Sequence, residues 1–146
     1  MRVVLQRVSR ASVTVNDKVV GSIGKGYLVL LGVSNSDTKE NAEKLADKIS
    51  KLRIFPDDND KINLSINDVG GEILVVSQFT LYADCKKGNR PSFVNAGSPD
   101  TAEMLYEYFA EICKTKFKKV EKGIFGADMK VELLNDGPFT LVLEND

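Results

Sequence analysis

Histidine is absent from the 146 residues. That absence removes Ser-His and Cys-His nucleophilic catalysis, histidine proton shuttling and most zinc sites. Any chemistry must then run on carboxylates, lysines, hydroxyls, the main chain or the substrate itself. Cysteine is nearly absent too. Cys85 and Cys113 stand alone without metal-ligand spacing and read as free thiols. Long apolar runs are missing: Val3-Val4-Leu5 is too short for a signal-peptide core, and no window approaches the ~20 apolar residues of a membrane span. The expectation is a cytoplasmic protein with no membrane partner. An excess of charge is lacking as well. Twenty Lys and Arg against 21 Asp and Glu give a net charge of −1, so any polyanion must be bound locally rather than by a global field. Repeats, low-complexity tracts and linkers are not found, and residues 1–146 read as one domain.

What is present is an ordinary globular composition, 42% hydrophobic and 28% charged. The chain alternates from Val3 to Val8 and again from Ala11 to Val15. It turns at Asn16-Asp17 and returns along Lys18 to Gly21, a hairpin signature. Tyr27 to Val33 is continuously apolar, as expected of a strand buried on both faces. Asp37 as N-cap with Glu40 three residues on predicts a helix that buries Ala42, Leu45, Ala46, Ile49 and Leu52. Pro56 to Asp60 reads as a turn. Gly70-Gly71 precedes a buried strand over Ile73 to Val76. Ser98 as N-cap and Pro99 at the first helical position open a second helix, with Met104, Leu105, Tyr108, Phe109 and Ile112 as its apolar stripe. Two helices cannot cover both faces of so many strands. The expected fold is α/β of the α+β kind: two packed β-sheets with two main helices on one outer side.

Four segments are candidates for chemistry. Ser77-Gln78-Phe79-Thr80-Leu81 places polar groups at the end of a core strand, where the scaffold is stiff. Thr80 offers a hydroxyl but no histidine to activate it. The backbone N–H groups of Phe79 and Thr80 could instead form an oxyanion hole, worth roughly 3–4 kcal/mol per donor in acyl transfer. The loop Lys86-Lys87-Gly88-Asn89-Arg90-Pro91-Ser92-Phe93 mixes cations with an aromatic residue, as a phosphate-contacting loop does. Lys114, Lys116, Lys118, Lys119 and Lys122 read either as a solvated face or as a second phosphate contact. Gly123 to Met129 sets small residues around Phe125, a pattern for tight packing or a pocket wall.

The last feature is Gly137-Pro138, set between the apolar runs Val131 to Leu134 and Phe139 to Leu143. Neither residue continues a central strand. The pair reads either as a hairpin turn or as a rigid element that presents main-chain carbonyls.

Taken together, Ser77-Gln78-Phe79-Thr80-Leu81 and Asn135-Asp136-Gly137-Pro138-Phe139-Thr140 resemble the two signature motifs of the D-aminoacyl-tRNA deacylases. The resemblance runs the length of the chain, through Leu5-Gln6-Arg7-Val8, Arg10 to Val13, Arg90 to Phe93 and Phe125 to Met129. It implies a homodimeric hydrolase without metal or cofactor, acting on the aminoacylated 3′ end of tRNA, with its active site at the subunit interface. It further implies that Gly137 and Pro138, joined by a cis bond, hold the substrate amine and reject L side chains in the partner's site, and that Arg7 supports them. Ser77, Gln78, Phe79 and Thr80 would line the reaction centre, and Phe125, Ala127 and Met129 the adenosine pocket. Lys86, Lys87 and Arg90 would meet the tRNA backbone. Glycyl esters, which have no side chain to reject, are expected to be cleaved too. Three readings compete with a water nucleophile and backbone oxyanion hole: a covalent Thr80, a non-catalytic tRNA-end binding module, and a structural domain whose Gly-Pro is only a turn.

Overall fold

The computed structural model describes residues 1–145. Strand β1 (Arg2–Val15) is the organiser: it pairs antiparallel with β2 (Lys18–Ile23), β3 (Gly26–Gly32) and the last strand, β8 (Lys130–Glu144). The β1–β2 hairpin turns on Asn16 and Asp17, both at positive φ, the conformation that matches the twist of the flanking strands. Beyond β3 the sheet continues in parallel through β6 (Glu72–Ser77) to β7 (Val120–Lys122). This six-stranded mixed sheet is accompanied by a small second sheet of β4 (Arg53–Pro56) and β5 (Ile62–Ser65). Helices α1 (Lys39–Lys51) and α2 (Pro99–Lys114) both pack on one face of the large sheet. The α+β expectation of two sheets with two helices on one side describes this molecule, although the second sheet is only a hairpin.

The main core lies under the helices: Val3, Leu5, Tyr27, Val29, Leu31, Ile73 and Val75 from the sheet meet Ala42, Leu45, Ile49, Leu105 and Phe109. A second cluster fills the opposite face, where Val8, Ala11, Val13, Ile23, Leu28, Leu74 and Val76 gather as β1 curls. The curl has a cause in register. Pairing between β1 and β8 slips between Val8 and Arg10, so the inward residues change from odd-numbered Val3 and Leu5 to Val8 and then back to odd-numbered Ala11 and Val13 on the other face. Strand β3 is buried on both faces, as its unbroken apolar run predicts.

Three expectations are corrected. The cap of α1 is Thr38, in a reciprocal capping box with Asn41, not Asp37 with Glu40. Asp37 is withdrawn from that role by a stronger partner: its Oδ1 lies 2.6 Å from the buried amino group of Met1, and its Oδ2 accepts from the Ser34 N–H. The α2 stripe is rotated from the one expected. Ala102, Leu105, Tyr106, Phe109, Ala110 and Cys113 are buried while Met104 is exposed, so the alanines and Tyr106 share the buried face with Leu105 and Phe109. Finally, Val131 to Leu134 and Phe139 to Leu143 are not two strands of a hairpin but one strand, β8, along a single partner.

Replacing Asp37 with alanine strands a buried ammonium, and loss of one member of such a pair costs about 3–5 kcal/mol. The expected result is a matching loss of unfolding free energy in urea titration. The two thiols should separate cleanly. Cys113 is buried, with its thiol pushed up to about 12 by desolvation, whereas Cys85 is exposed. A thiol reagent should therefore label one cysteine in the native protein and two after denaturation.

Candidate active site

Strand β6 ends at Ser77 beside Leu31, and the chain then tightens into a 3-10 turn, Phe79–Tyr82. The Gln78 N–H donates to the Leu31 carbonyl at 2.8 Å, and the Leu81 N–H donates back to Gln78. The turn rests on Gly32. A Cβ there would lie 3.0 Å from Leu81 Cβ and 3.1 Å from the Gln78 carbonyl. Its far end is held by Arg2, whose Nη1 donates to the Leu81 carbonyl at 2.6 Å while the guanidinium covers the Tyr82 ring. At its near end, the Phe79 and Thr80 N–H groups meet no acceptor among the described residues. The Gln78 side-chain amide donates to the Thr80 hydroxyl oxygen.

A cleft of about 630 Å³ opens beside this turn. Val76, Ser77, Gln78 and Phe79 form one wall, and Phe93, Ala96, Gly97 and the start of α2 a second. Phe125 to Met129 with Val131 form the third. The wall residues are fixed from beneath. The buried Tyr106 hydroxyl is shared between the carbonyls of Val75 (3.0 Å) and Gly123 (3.2 Å), and its ring packs against Phe125. Burial raises the Tyr106 pKa well above the usual phenol value, so the hydroxyl stays a donor. Gly123 admits the Met129 sulfur where a Cβ would collide with it.

Phe79 is half exposed and meets Phe93 edge-to-face, with ring centroids 5.0 Å apart. Phe93 follows a loop closed by paired main-chain bonds between Asp84 and Ser92. Lys86, Lys87 and Arg90 lie exposed on that loop, without ion pairs among the described residues. The lysines at and after the end of α2 differ. Lys114, Lys116, Lys119 and Lys122 pair with Glu111, Asp47, Glu72 and Glu107 of the fold itself. No group of three or more Cys, Asp or Glu side chains is gathered as a metal site among the described residues.

Gly137 and Pro138 lie elsewhere. Between the pairs Val8–Asn135 and Gln6–Thr140, β1 advances two residues and β8 five, so three residues project from the ladder. Gly137 sits in this projection at φ +151°, where a Cβ would lie 2.7 Å from the Phe139 nitrogen, and its bond to Pro138 is cis. Arg7 sits beneath, almost fully buried. Its Nε donates to the Asp136 carbonyl at 2.9 Å and its Nη1 to the Ile54 carbonyl at 2.6 Å, while the guanidinium lies 4.7 Å from the Phe139 ring centre. In sheet register, Arg7 aligns through Tyr27 with Ile73, four residues before Ser77 and three strands across from β8. Strand spacings put the projection about 20 Å from Ser77.

The structure therefore gathers Ser77, Gln78, Phe79, Phe125, Ala127 and Met129 around one cleft, with Thr80 in the adjoining turn. Arg7, Gly137 and Pro138 form a separate element that does not line it. Sequence reasoning missed Tyr106, Arg2 and Gly32. A tyrosine inside an apolar stripe was a usable signal for the first, since a buried phenol needs a partner.

This is a mixed-sheet α+β protein with a cleft at the end of a parallel strand pair and an exposed main-chain projection from an edge strand. The family described as D-Tyr-tRNA(Tyr) deacylase matches residues 4–144. A D-aminoacyl-tRNA deacylase of Geobacillus sp. (strain WCH70) is 58% identical over 145 residues, covering 99% of this chain and 95% of that protein. Among solved structures, one titled c-Myc DNA Unwinding Element Binding Protein is 43% identical with a TM-score of 0.94, covering 100% of this chain and 99% of that one. A probable eukaryotic D-amino acid tRNA deacylase, 22% identical and covering 97% of both chains, shares the fold with a TM-score of 0.81. The chain belongs to the D-aminoacyl-tRNA deacylase family, and is by that membership a hydrolase of aminoacyl-tRNA.

Gly32→Ala tests whether the 3-10 turn must sit where it does. The added methyl should cost roughly 1–3 kcal/mol of stability by overpacking. Displacement of the turn should lower deacylation by at least about tenfold at temperatures where the variant is fully folded, measured as initial rates.

Proposed function

We propose that the chain hydrolyses the ester joining a D-amino acid to the terminal adenosine of tRNA, proofreading chirality in the cytoplasm, and that it does so with main-chain groups. Water attacks the ester carbonyl. The carbonyl oxygen takes up negative charge, and the ribose oxygen departs with a proton. The free N–H groups of Phe79 and Thr80 are the donors for that oxyanion. Thr80 is not the nucleophile in this scheme. Its oxygen already accepts from Gln78, and no base stands by to take its proton. The neighbouring ribose 2′-OH is the substrate's own means of orienting the water. Phe79, Phe125, Ala127 and Met129 bound the adenosine, while Lys86, Lys87 and Arg90 meet phosphates nearby.

Discrimination falls to Gly137 and Pro138. A side-chain pocket would select by size, but the enzyme must accept many side chains while testing one stereocentre. Main-chain carbonyls that hold the α-amine and fill the volume where an L side chain would project do both. The observation that carries this reading is the three-residue projection of β8, which is held from below and exposed above. It also calls for a homodimer. The projection stands about 20 Å from Ser77 of its own chain, on an edge strand, so a two-fold related copy must present it to the cleft.

The deciding assay uses matched D- and L-tyrosyl-tRNA with glycyl-tRNA beside them. The D and glycyl esters should be cleaved and the L ester spared; equal D and L rates would sink the chiral assignment, and protection of the D ester would mark a binder. Thr80→Ala should keep turnover within roughly tenfold of the parent, since a backbone donor survives the change. A loss of a thousandfold or more in a folded variant would instead mark a covalent threonine.

A further inference from the structure

We infer that the Asn135 side chain is a positioning residue for chiral selection: it closes the neck of the β8 projection and holds the Gly137-Pro138 carbonyls in register. This rests on the reading above that those carbonyls meet the substrate amine. Where β8 leaves β1, the ladder bonds of three residues are lost, and something local must replace them. Asn135 does so with both ends of its amide. Its Oδ1 accepts from the Phe139 N–H at 2.6 Å, and its Nδ2 donates to the Thr140 hydroxyl oxygen at 2.9 Å. That hydroxyl oxygen also lies 3.4 Å from the Gln6 amide nitrogen on β1. One side chain thus ties the residue entering the projection to the two residues leaving it, and through Gln6 to the strand below.

Asn135 and Arg7 divide the task. Arg7 holds the Asp136 carbonyl from beneath, on the entering side. Asn135 fixes the leaving side at Phe139, the residue whose nitrogen lies only 2.7 Å from where a Gly137 Cβ would be. With one limb free, the projection would swing about the other, and its carbonyls would no longer meet the stereocentre at a fixed angle. The two ends of the amide reach two different partners at once, Oδ1 the Phe139 N–H and Nδ2 the Thr140 hydroxyl oxygen.

The test is the ratio of kcat/KM on D- over L-tyrosyl-tRNA, measured at enzyme concentrations high enough to read the slow L reaction. Asn135→Ala should lower that ratio by about tenfold or more, through loss of two hydrogen bonds that orient the reacting partner. Asn135→Asp keeps an acceptor for the Phe139 N–H, and the Thr140 hydroxyl can turn to donate; it should hold the ratio within about threefold. A purely structural asparagine would lower both rates together, so an unchanged ratio in Asn135→Ala overturns the inference. If that variant does not fold, Thr140→Val removes the hydroxyl that meets both Asn135 Nδ2 and Gln6 while leaving the bond from the Phe139 N–H, and an unchanged ratio there overturns it equally. Gly137→Ala separates the two levels. If it collapses the ratio while Asn135→Ala does not, the brace alone is wrong. If neither changes the ratio, the Gly-Pro reading fails and takes the brace with it.

Discussion

The arrangement turns on one buried cation. Arg7 lies in the core between Tyr27, Phe55 and Phe139, where an unpaired guanidinium would be expensive. It is tolerated because its donors end on main-chain carbonyls, Asp136 on one side and Ile54 on the other, because the Asp136 carboxylate lies 3.9 Å from its Nε, and because Phe139 presents a ring face. Charge-assisted bonds of this kind are worth roughly 1.5–3 kcal/mol each. The consequence is geometric. The projection of β8 cannot relax back into the ladder without stranding that charge, so an irregular backbone is enforced by the core. The planar fork of arginine matters here: Nε and Nη1 reach two carbonyls on different strands, whereas the three donors of a lysine all radiate from one nitrogen.

Strand β1 carries the corresponding device for the cleft. Arg2, five residues earlier and so on the opposite face, holds the Leu81 carbonyl at the end of the 3-10 turn. One strand therefore positions both halves of the proposed site, from its first residue and its middle and on its two faces. That is also why a single copy cannot unite them. The sheet that makes each half stiff holds them about 20 Å apart. In the proposed enzyme a two-fold axis resolves this, because each copy offers one projection and one cleft, and the pairing closes without further surface.

Much of the framework could be read directly from residue patterns. The Asn16-Asp17 turn, the doubly buried β3, the Ser98-Pro99 helix start and the end of β6 at Ser77 all follow from local rules, and local rules suffice where neighbours agree with them. The misreadings come from long-range competition. Asp37 has a better partner in the Met1 amino group, which is distant in sequence from any capping logic. Gly137-Pro138 has the local signature of a hairpin, yet β1 extends past it on both sides and recaptures the chain at Thr140. Strands β4, β5 and β7 are short and were not visible, since each is defined by its partner rather than by its own periodicity. Of the candidate site, Ser77, Gln78, Phe79, Phe125, Ala127 and Met129 are the residues the resemblance points to, and they converge on one cleft. Tyr106 and Gly32, which hold that cleft in shape, carry no chemistry of their own and so left no motif.

In the proposed mechanism the same division lets a chain without histidine host a hydrolase. Oxyanion donors and amine acceptors exist in every peptide unit, so the scarce resource is not a functional group but a fixed orientation. Side chains then act at one remove: Arg7 and Asn135 on the projection, Arg2 and Tyr106 on the turn and the cleft wall, and Gln78 on Thr80. Glycine marks the points where orientation leaves no room for a Cβ, at Gly32 beneath the turn and at Gly137 in the projection. A selector built this way has no side-chain pocket to be filled or left empty. Its discrimination should therefore depend on the handedness of the α-carbon and little on the size of the group that carbon bears, which is the property a general chirality check requires.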